Sequence, residues 1–410
     1  METLVERCAG LDVHKDTVVA CVRITSGSQV QTHAATFGTT TAELLGLRDW
    51  LTGYEVTLVG MESTGVYWKP VYYALEDAQA CWLLNARHLR NVPGRKTDMA
   101  DAAWIAQLIA NGLVQPSFVP PKPVRELRSL TRYRKAQIEE RTREAQRLDK
   151  VLQDAGVKLS SVASDILGVS GRAMLTALVS GTRDPAVMAD LAKGALRKKI
   201  PALQQALRGR FSDHHALIVG EILAKIDYLE EVIARLSVEI DKVIDPFAPD
   251  RDLITTTPGI NTRTAEGILA EIGADMTVFG TAERLASWAG RCPGQHESAG
   301  KSRSGAMRKG NKWLRTYLHD AATAAIKVKG SYLAALYARV KGRRGHAKAI
   351  VAVEHSILVS IFYMLERREP YQDLGADYFI RRNNPQRRAR RLINELTQLG
   401  YTVTAQPVPA

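Results

Sequence analysis

The sequence predicts an α/β domain on a mixed sheet, then a long helical middle, then a basic and mainly helical C-terminal region. Three observations carry this prediction. Over the first 120 residues short apolar runs alternate with segments of helical periodicity. Pro116, Pro120, Pro121 and Pro123 then form a stiff linker, the clearest boundary in the chain. Beyond them the apolar residues keep helical spacing while the charge turns strongly basic.

CAGLDV and DTVVACVRI are apolar runs separated by a polar break and read as a hairpin. QVQTHAATF alternates as a third strand. TAELLGLRDWLTGY has helical periodicity, VTLVGME is a buried strand, GVYWKPVYYALEDA a helix, and ACWLLNA a further buried strand. TDMADAAWIAQLIANG is a helix closed by Gly112. The order β-β-β-α-β-α-β-α is that of the RNase H-like fold, a mixed sheet covered by helices.

Residues 124–154 predict a long, charge-laced helix, and residues 217–245 a second one. Ile222, Ile226, Leu229, Ile233, Leu236, Ile240 and Val243 form a heptad seam along the second helix. Such a seam suits either a coil between two chains or a hairpin within one. Pro246 and Pro249 end it. TTTPGINTRTAEGILAEIG has the form of a helix-hairpin-helix, with Asn261 where a second turn glycine is usual. The layout expected is therefore 1–120, a catalytic α/β domain; 121–250, a helical linker and oligomerisation region; 251–370, a C-terminal domain; and 371–410, a basic tail.

Charge is unevenly spread. Residues 1–120 hold 9 Lys/Arg against 12 Asp/Glu, whereas residues 281–350 hold 15 against 3, within an overall net charge of +13. A basic stretch interleaved with Gly, Ser and Trp suits a nucleic-acid backbone. No uninterrupted apolar run approaches the roughly 18 residues of a membrane span, and the start METLVERCAG lacks a signal-peptide pattern. Cys8, Cys21, Cys81 and Cys292 have no metal-ligand spacing and read as reduced structural thiols. The expected location is the cytoplasm of a bacterial-type cell, in association with the nucleoid.

Four carboxylates stand out. Asp12 interrupts the apolar run CAGLDV and Glu62 ends VTLVGME, positions where an acid needs partners or a metal. Asp98 and Asp101 share one face at the start of a helix. Strand-borne and helix-borne carboxylates of this kind suit two Mg²⁺ ions clamping a phosphoryl group, with Mn²⁺ as an alternative. His14 and Lys15 follow the first aspartate, in a surface turn or in reach of phosphate.

The segments GLDVHKD, GMESTGVYW and GRKTDMADAAWIAQLI resemble the RuvC-like DEDD domain of the transposases of insertion-sequence family 110. WAGRCPGQHESAGKSRSGAMRKGNKWLRTYLHDAA resembles that family's second conserved domain. The resemblance implies metal ligation by Asp12, Glu62, Asp98 and Asp101, and a serine nucleophile in ESAGK, hence Ser298. Spacing alone leaves Ser302 and Ser304 open. Lys301, Arg303, Arg308, Lys309, Lys312 and Arg315 are the cations that would hold phosphate, with Asn311 capping the helix that Arg315 lies on. The resemblance further implies donor and target DNA as substrates, a structured non-coding guide RNA from the element itself, and a homodimer or homotetramer. Two rivals compete with this recombinase: a RuvC-like junction-resolving nuclease using water as nucleophile, and a non-enzymatic nucleic-acid packaging protein with structural carboxylates.

Overall fold

The computed structural model describes residues 4–63, 65–85, 98–292, 297–298, 301–302, 307–382 and 385–404. It divides into two compact units, Met1–Val119 and Pro120–Ala410, and the boundary falls among the linker prolines.

In the first unit β1 (Arg7–Val13), β2 (Thr17–Ser26) and β3 (Gln29–Gly38) are followed by α1 (Thr41–Gly53), β4 (Leu58–Glu62), α2 (Trp68–Leu75), β5 (Ala80–Leu84) and α3 (Asp98–Ala110). The sheet order is β3-β2-β1-β4-β5. β1–β2 and β2–β3 are antiparallel, while β1–β4 and β4–β5 are parallel. The helix expected over 65–78 is confined to α2. Gly65 has φ +54°, outside the helical region, and Pro70 is tolerated within the first turn because no intrahelical bond is asked of its nitrogen.

The pleat sorts the strands' residues between two cores. Ala9, Leu11, Val13, Val59 and Met61 pack with Leu44, Leu47 and Leu51 of α1 and Val71 and Leu75 of α2. Their alternate neighbours Cys8 and Leu58 pack with Ile105, Ala106, Leu108 and Ile109 of α3. Gly10 and Gly60 lie on that second face and let α3 settle onto the sheet. A Cβ on Gly10 would stand 2.0 Å from the Ala102 carbonyl oxygen, and one on Gly60 2.2 Å from Ile109 Cδ1.

Among the described residues the second unit is helical apart from its loops and a short hairpin. It comprises α4 (Lys122–Asp154), α5 (Val169–Val179), α6 (Pro185–Asp190), α7 (Ile200–Ala206), α8 (Asp213–Val243), α9 (Ala248–Thr255), α10 (Thr262–Ile272) and α11 (Ala282–Trp288). The hairpin β6 (Glu297–Ser298) and β7 (Lys301–Ser302) follows. α12 (Lys312–Ala325), α13 (Tyr332–Arg344), α14 (His346–Arg367), α15 (Tyr378–Arg382) and α16 (Pro385–Gln398) complete it.

α4 and α8 pack along one another within the same chain. The heptad residues Ile226, Leu229, Ile233 and Ile240 are buried there, and Arg141–Glu230 and Lys225–Glu140 ion pairs bridge the two helices. The seam is thus occupied inside the monomer, which is the hairpin alternative. Leu229→Asp is therefore expected to destabilise the monomer by about 3 kcal/mol or more. Denaturant unfolding should show that loss. A variant of unchanged stability and half the mass by light scattering would instead show that the seam joins chains.

Among the described residues α14 alone is long and apolar enough to cross a membrane by length and composition, although Glu354 and His355 interrupt it, and 56% of its most apolar window is buried. α9, α11, α12 and α13 pack around it, which makes it the central helix of the C-terminal region.

Candidate active site

Asp12 and Glu62 occupy equivalent places on neighbouring parallel strands, each one residue beyond the registered pair Leu11 and Met61. By the strand period they share a face with Gly10 and Gly60, the face that α3 covers. α3 runs antiparallel to β1, because Leu4 N–H donates to the Ala110 carbonyl, Cys8 Sγ to that of Ala106, and Gly10 abuts Ala102. Two strand residues beyond Gly10 is about 6.6 Å. Four helix residues back from Ala102 is about 6 Å. That places the first turn of α3, opened by Asp98 and containing Asp101, alongside Asp12. The structure therefore places Asp12 and Glu62 on one sheet face, covered by the helix whose first turn carries Asp98 and Asp101.

Asp12 is 18% exposed at its side chain and Nε2 of His14 lies 3.2 Å from its Oδ2. Glu62 and Asp101 are half-buried. His14 belongs to the β1–β2 turn, where its N–H donates to the Thr17 carbonyl, and the Lys15 carbonyl accepts from Thr39 Oγ1. Oxygen-only donors, partly open to solvent, fit a hard divalent cation such as Mg²⁺ or Mn²⁺. Cys8 and Cys81 do not compete. Burial pushes Cys8 up to about 11 and Cys81 up to about 12, so both stay protonated.

The second candidate region is the serine segment. Its hairpin registers Ser298 with Lys301 and Ser302 with Glu297. Arg303 and Ser304 lie outside the described residues. Arg308, Lys309, Lys312 and Arg315 are exposed. The two ends of the segment meet: a Cβ on Gly310 (φ +51°) would stand 2.2 Å from the Ala289 carbonyl oxygen, and one on Gly290 (φ +65°) 2.6 Å from that of Arg308. Only glycine admits this backbone apposition with positive φ on both sides. Asn311 caps α12 as expected, its Oδ1 accepting from the N–H groups of Trp313 and Leu314.

The sequence reading missed how this base is held. Glu271 is fully buried and accepts two bonds of 2.7 Å from Arg132 and one of 2.6 Å from Asn311 Nδ2. Arg128 donates to the Ala270 and Glu271 carbonyls at the end of α10, and Arg132 lies over the Trp313 ring. The serine segment thus grows from a base tied to α4 and α10 by a buried carboxylate. An acid inside the apolar helix TRTAEGILAEI was the available signal, the same one that pointed to Asp12.

The segment expected to form a helix-hairpin-helix folds as two helices joined by a turn. α9, a turn and α10 are present, but a Cβ on Gly259 would stand 2.4 Å from the Ala325 nitrogen. That side of the turn is closed by α12. Asn261 is the N-cap of α10, its Oδ1 accepting from Thr264 N–H, so the Thr264 N–H is also engaged.

Two models of one transposase family match the chain. The IS110 DEDD transposase model matches residues 9–156, and the transposase model of the IS116/IS110/IS902 family matches residues 251–338, together more than half the sequence. The chain belongs to the IS110 family of transposases. A relative from the same kind of element, an insertion element IS900 uncharacterized 42 kDa protein of Mycobacterium paratuberculosis, is 26% identical over 307 residues, 67% of this transposase and 73% of that protein. A Thermus thermophilus RuvC structure aligns at 13% identity and a TM-score of 0.22, over 27% of this transposase and 99% of that chain. The fold assignment rests on the sheet order itself. An IS110 transposase is a DNA recombinase acting by phosphoryl transfer, which removes the packaging reading, and its DEDD domain implies a divalent metal.

Another ligand-like cluster in this transposase, Asp154, His214 and His215, lies in the second unit. His215 Nδ1 accepts from Ser212 N–H at 3.2 Å and its Nε2 lies 3.2 Å from Asp154 Oδ2. These bonds cap α8 and join it to the end of α4, a structural use of both nitrogens.

Proposed function

We propose that this transposase excises its insertion sequence and inserts it at a target through a covalent phosphoserine on Ser298. Asp12, Glu62, Asp98 and Asp101 hold two Mg²⁺ ions, or Mn²⁺ in their stead. When bound, such ions supply Lewis-acid stabilisation of charge on the scissile phosphate. What supports the reading is the placement of Asp12 and Glu62 at equivalent positions on neighbouring parallel strands, on the sheet face that α3 covers.

In the first step a bond forms between Ser298 Oγ and phosphorus while the bond from phosphorus to the leaving deoxyribose oxygen breaks, and that oxygen takes up the proton given up by serine. In the second step a deoxyribose hydroxyl of the partner strand attacks the same phosphorus and Oγ leaves, regaining a proton. The ester keeps the energy of the cleaved bond for rejoining. Ser298 is preferred over Ser302 and Ser304 because the family resemblance of the segment ESAGK points to it; spacing alone leaves all three open. Lys301, Arg303, Arg308, Lys309, Lys312 and Arg315 supply positive charge to the DNA backbone.

Sequence choice is assigned to an element-encoded non-coding RNA that pairs with donor and target, while the basic C-terminal domain at 251–370 and the tail at 371–410 grip the backbone. The working form is a dimer or tetramer joined through surfaces other than the α4–α8 seam. Incubating the transposase with its RNA, donor and target DNA and Mg²⁺ tests this reading. Rejoined strands that appear only with the RNA support it. Cut strands ending in hydrolysed phosphates, never rejoined, would favour the junction-resolving nuclease.

A further inference from the structure

A cavity of about 470 Å³ opens beside α12 and the start of α14, lined by Arg291, Arg315, Thr316, His319, His346, Ile350, Val351 and Glu354 among others. Its size suits a small organic ligand. The residues sort by exposure. Arg315, His319 and His346 are exposed and form the rim, whereas Arg291 and Glu354, 3% and 2% exposed, form the floor. Ile350 and Val351 supply an apolar wall.

The floor is an ion pair between Arg291 and Glu354, and Glu354 Oε1 also accepts from His319 Nδ1 at 3.0 Å. Arg291 Nε is buried and has no hydrogen-bond partner among the described residues. A buried guanidinium donor without a partner is costly, and a polar group that entered the cavity and shifted the floor slightly would accept its hydrogen bond. Floor and wall together ask for a flat, partly apolar group with polar atoms on its edge. The rim asks for a negative charge, and Arg343 and Arg344 precede His346 by only a few residues.

We propose that this cavity binds one unpaired nucleotide of a DNA strand. The base enters against Ile350 and Val351 with its polar edge toward the floor made by Arg291 and Glu354, and its phosphate lies on Arg315 and His346. Proteins that take a base out of the stack read it in this way, by hydrogen bonds to its edge between apolar walls. The inference rests on DNA as the substrate of the family, and requires neither Ser298 nor the carboxylates in a chemical role.

The test uses full-length protein carrying Asp12→Asn, so that cleavage plays no part. Its affinity is compared for a short oligothymidylate and for an abasic strand with the same number of phosphates. A preference for the thymidylate of at least about fivefold is expected, since one stacked base contributes on the order of 1 kcal/mol or more. Val351→Trp, which fills the cavity, should remove the preference while leaving affinity for the abasic strand. Photocrosslinking with 5-iodouracil at one position should label residues 315–319 or 346–351, a readout available even if Val351→Trp does not fold. Equal affinity for both strands, a preference that survives Val351→Trp, crosslinks confined elsewhere, or a preference for oligouridylate over the DNA strand would overturn the proposal. None of these outcomes bears on whether the protein forms a phosphoserine.

Discussion

Asp12→Asn is expected to reduce DNA strand cleavage by at least about a thousandfold, equivalent to about 4 kcal/mol of transition-state stabilisation. The fold should survive. Asparagine has the same shape, Asp12 sits at the end of a strand whose pairing with Val19 is made by backbone, and its side chain is partly open to solvent. Glu62→Gln should lose cleavage comparably, because the two residues occupy equivalent places on neighbouring strands. Thermal unfolding should shift by only a few degrees while cleavage with Mg²⁺ is lost. If folded Asp12→Asn protein cleaves at the wild-type rate, the carboxylates are structural and the metal site is elsewhere.

Ser298→Ala is expected to remove strand joining entirely and cleavage by about ten-thousandfold, since a hydroxyl that forms the covalent bond has no substitute in alanine. Ser302→Ala should retain both activities to within a fewfold. The contrast matters more than either number. Both serines belong to the same small hairpin, so a general disturbance of that hairpin would affect the two variants alike. The glycine apposition at its base is made by backbone and the Glu271 network by other side chains, so both should be unaffected by the loss of one oxygen. Hydrolytic cleavage that persists in Ser298→Ala with Mg²⁺ would point to water as the nucleophile.

The first unit was legible in the sequence because each of its residues reports on its nearest layer. Alternation marked the strands, and Asp12 and Glu62 were conspicuous as acids in apolar runs. What alternation did not show is why Gly10 and Gly60 must lack side chains, since that depends on a helix far away in the chain. The seam of α8 read equally well as an intermolecular or an intramolecular coil, because heptad spacing says that a partner exists without saying which. The hairpin at 297–302 went unread because strands of two residues have no period. Glu271 and Glu354 were missed for a third reason. The guanidinium of Arg132 is 139 residues from Glu271 in sequence, so only the folded chain shows that the charge is paired. The closed side of the Gly259 turn belongs to the same class of contact, set by α12 rather than by the turn itself.

The central claim is a covalent bond between this chain and DNA, and it is tested most directly by trapping that bond. Wild-type protein, its RNA and Mg²⁺ are incubated with a suicide substrate nicked beside the cleavage point, so that the leaving strand diffuses away and rejoining is blocked. The adduct is digested and the modified residue is mapped by mass spectrometry. The account predicts a nucleotide ester on Ser298, absent from Asp12→Asn and from Ser298→Ala protein. Cleaved DNA with no protein attached, or an ester on Ser302 or Ser304, would contradict it.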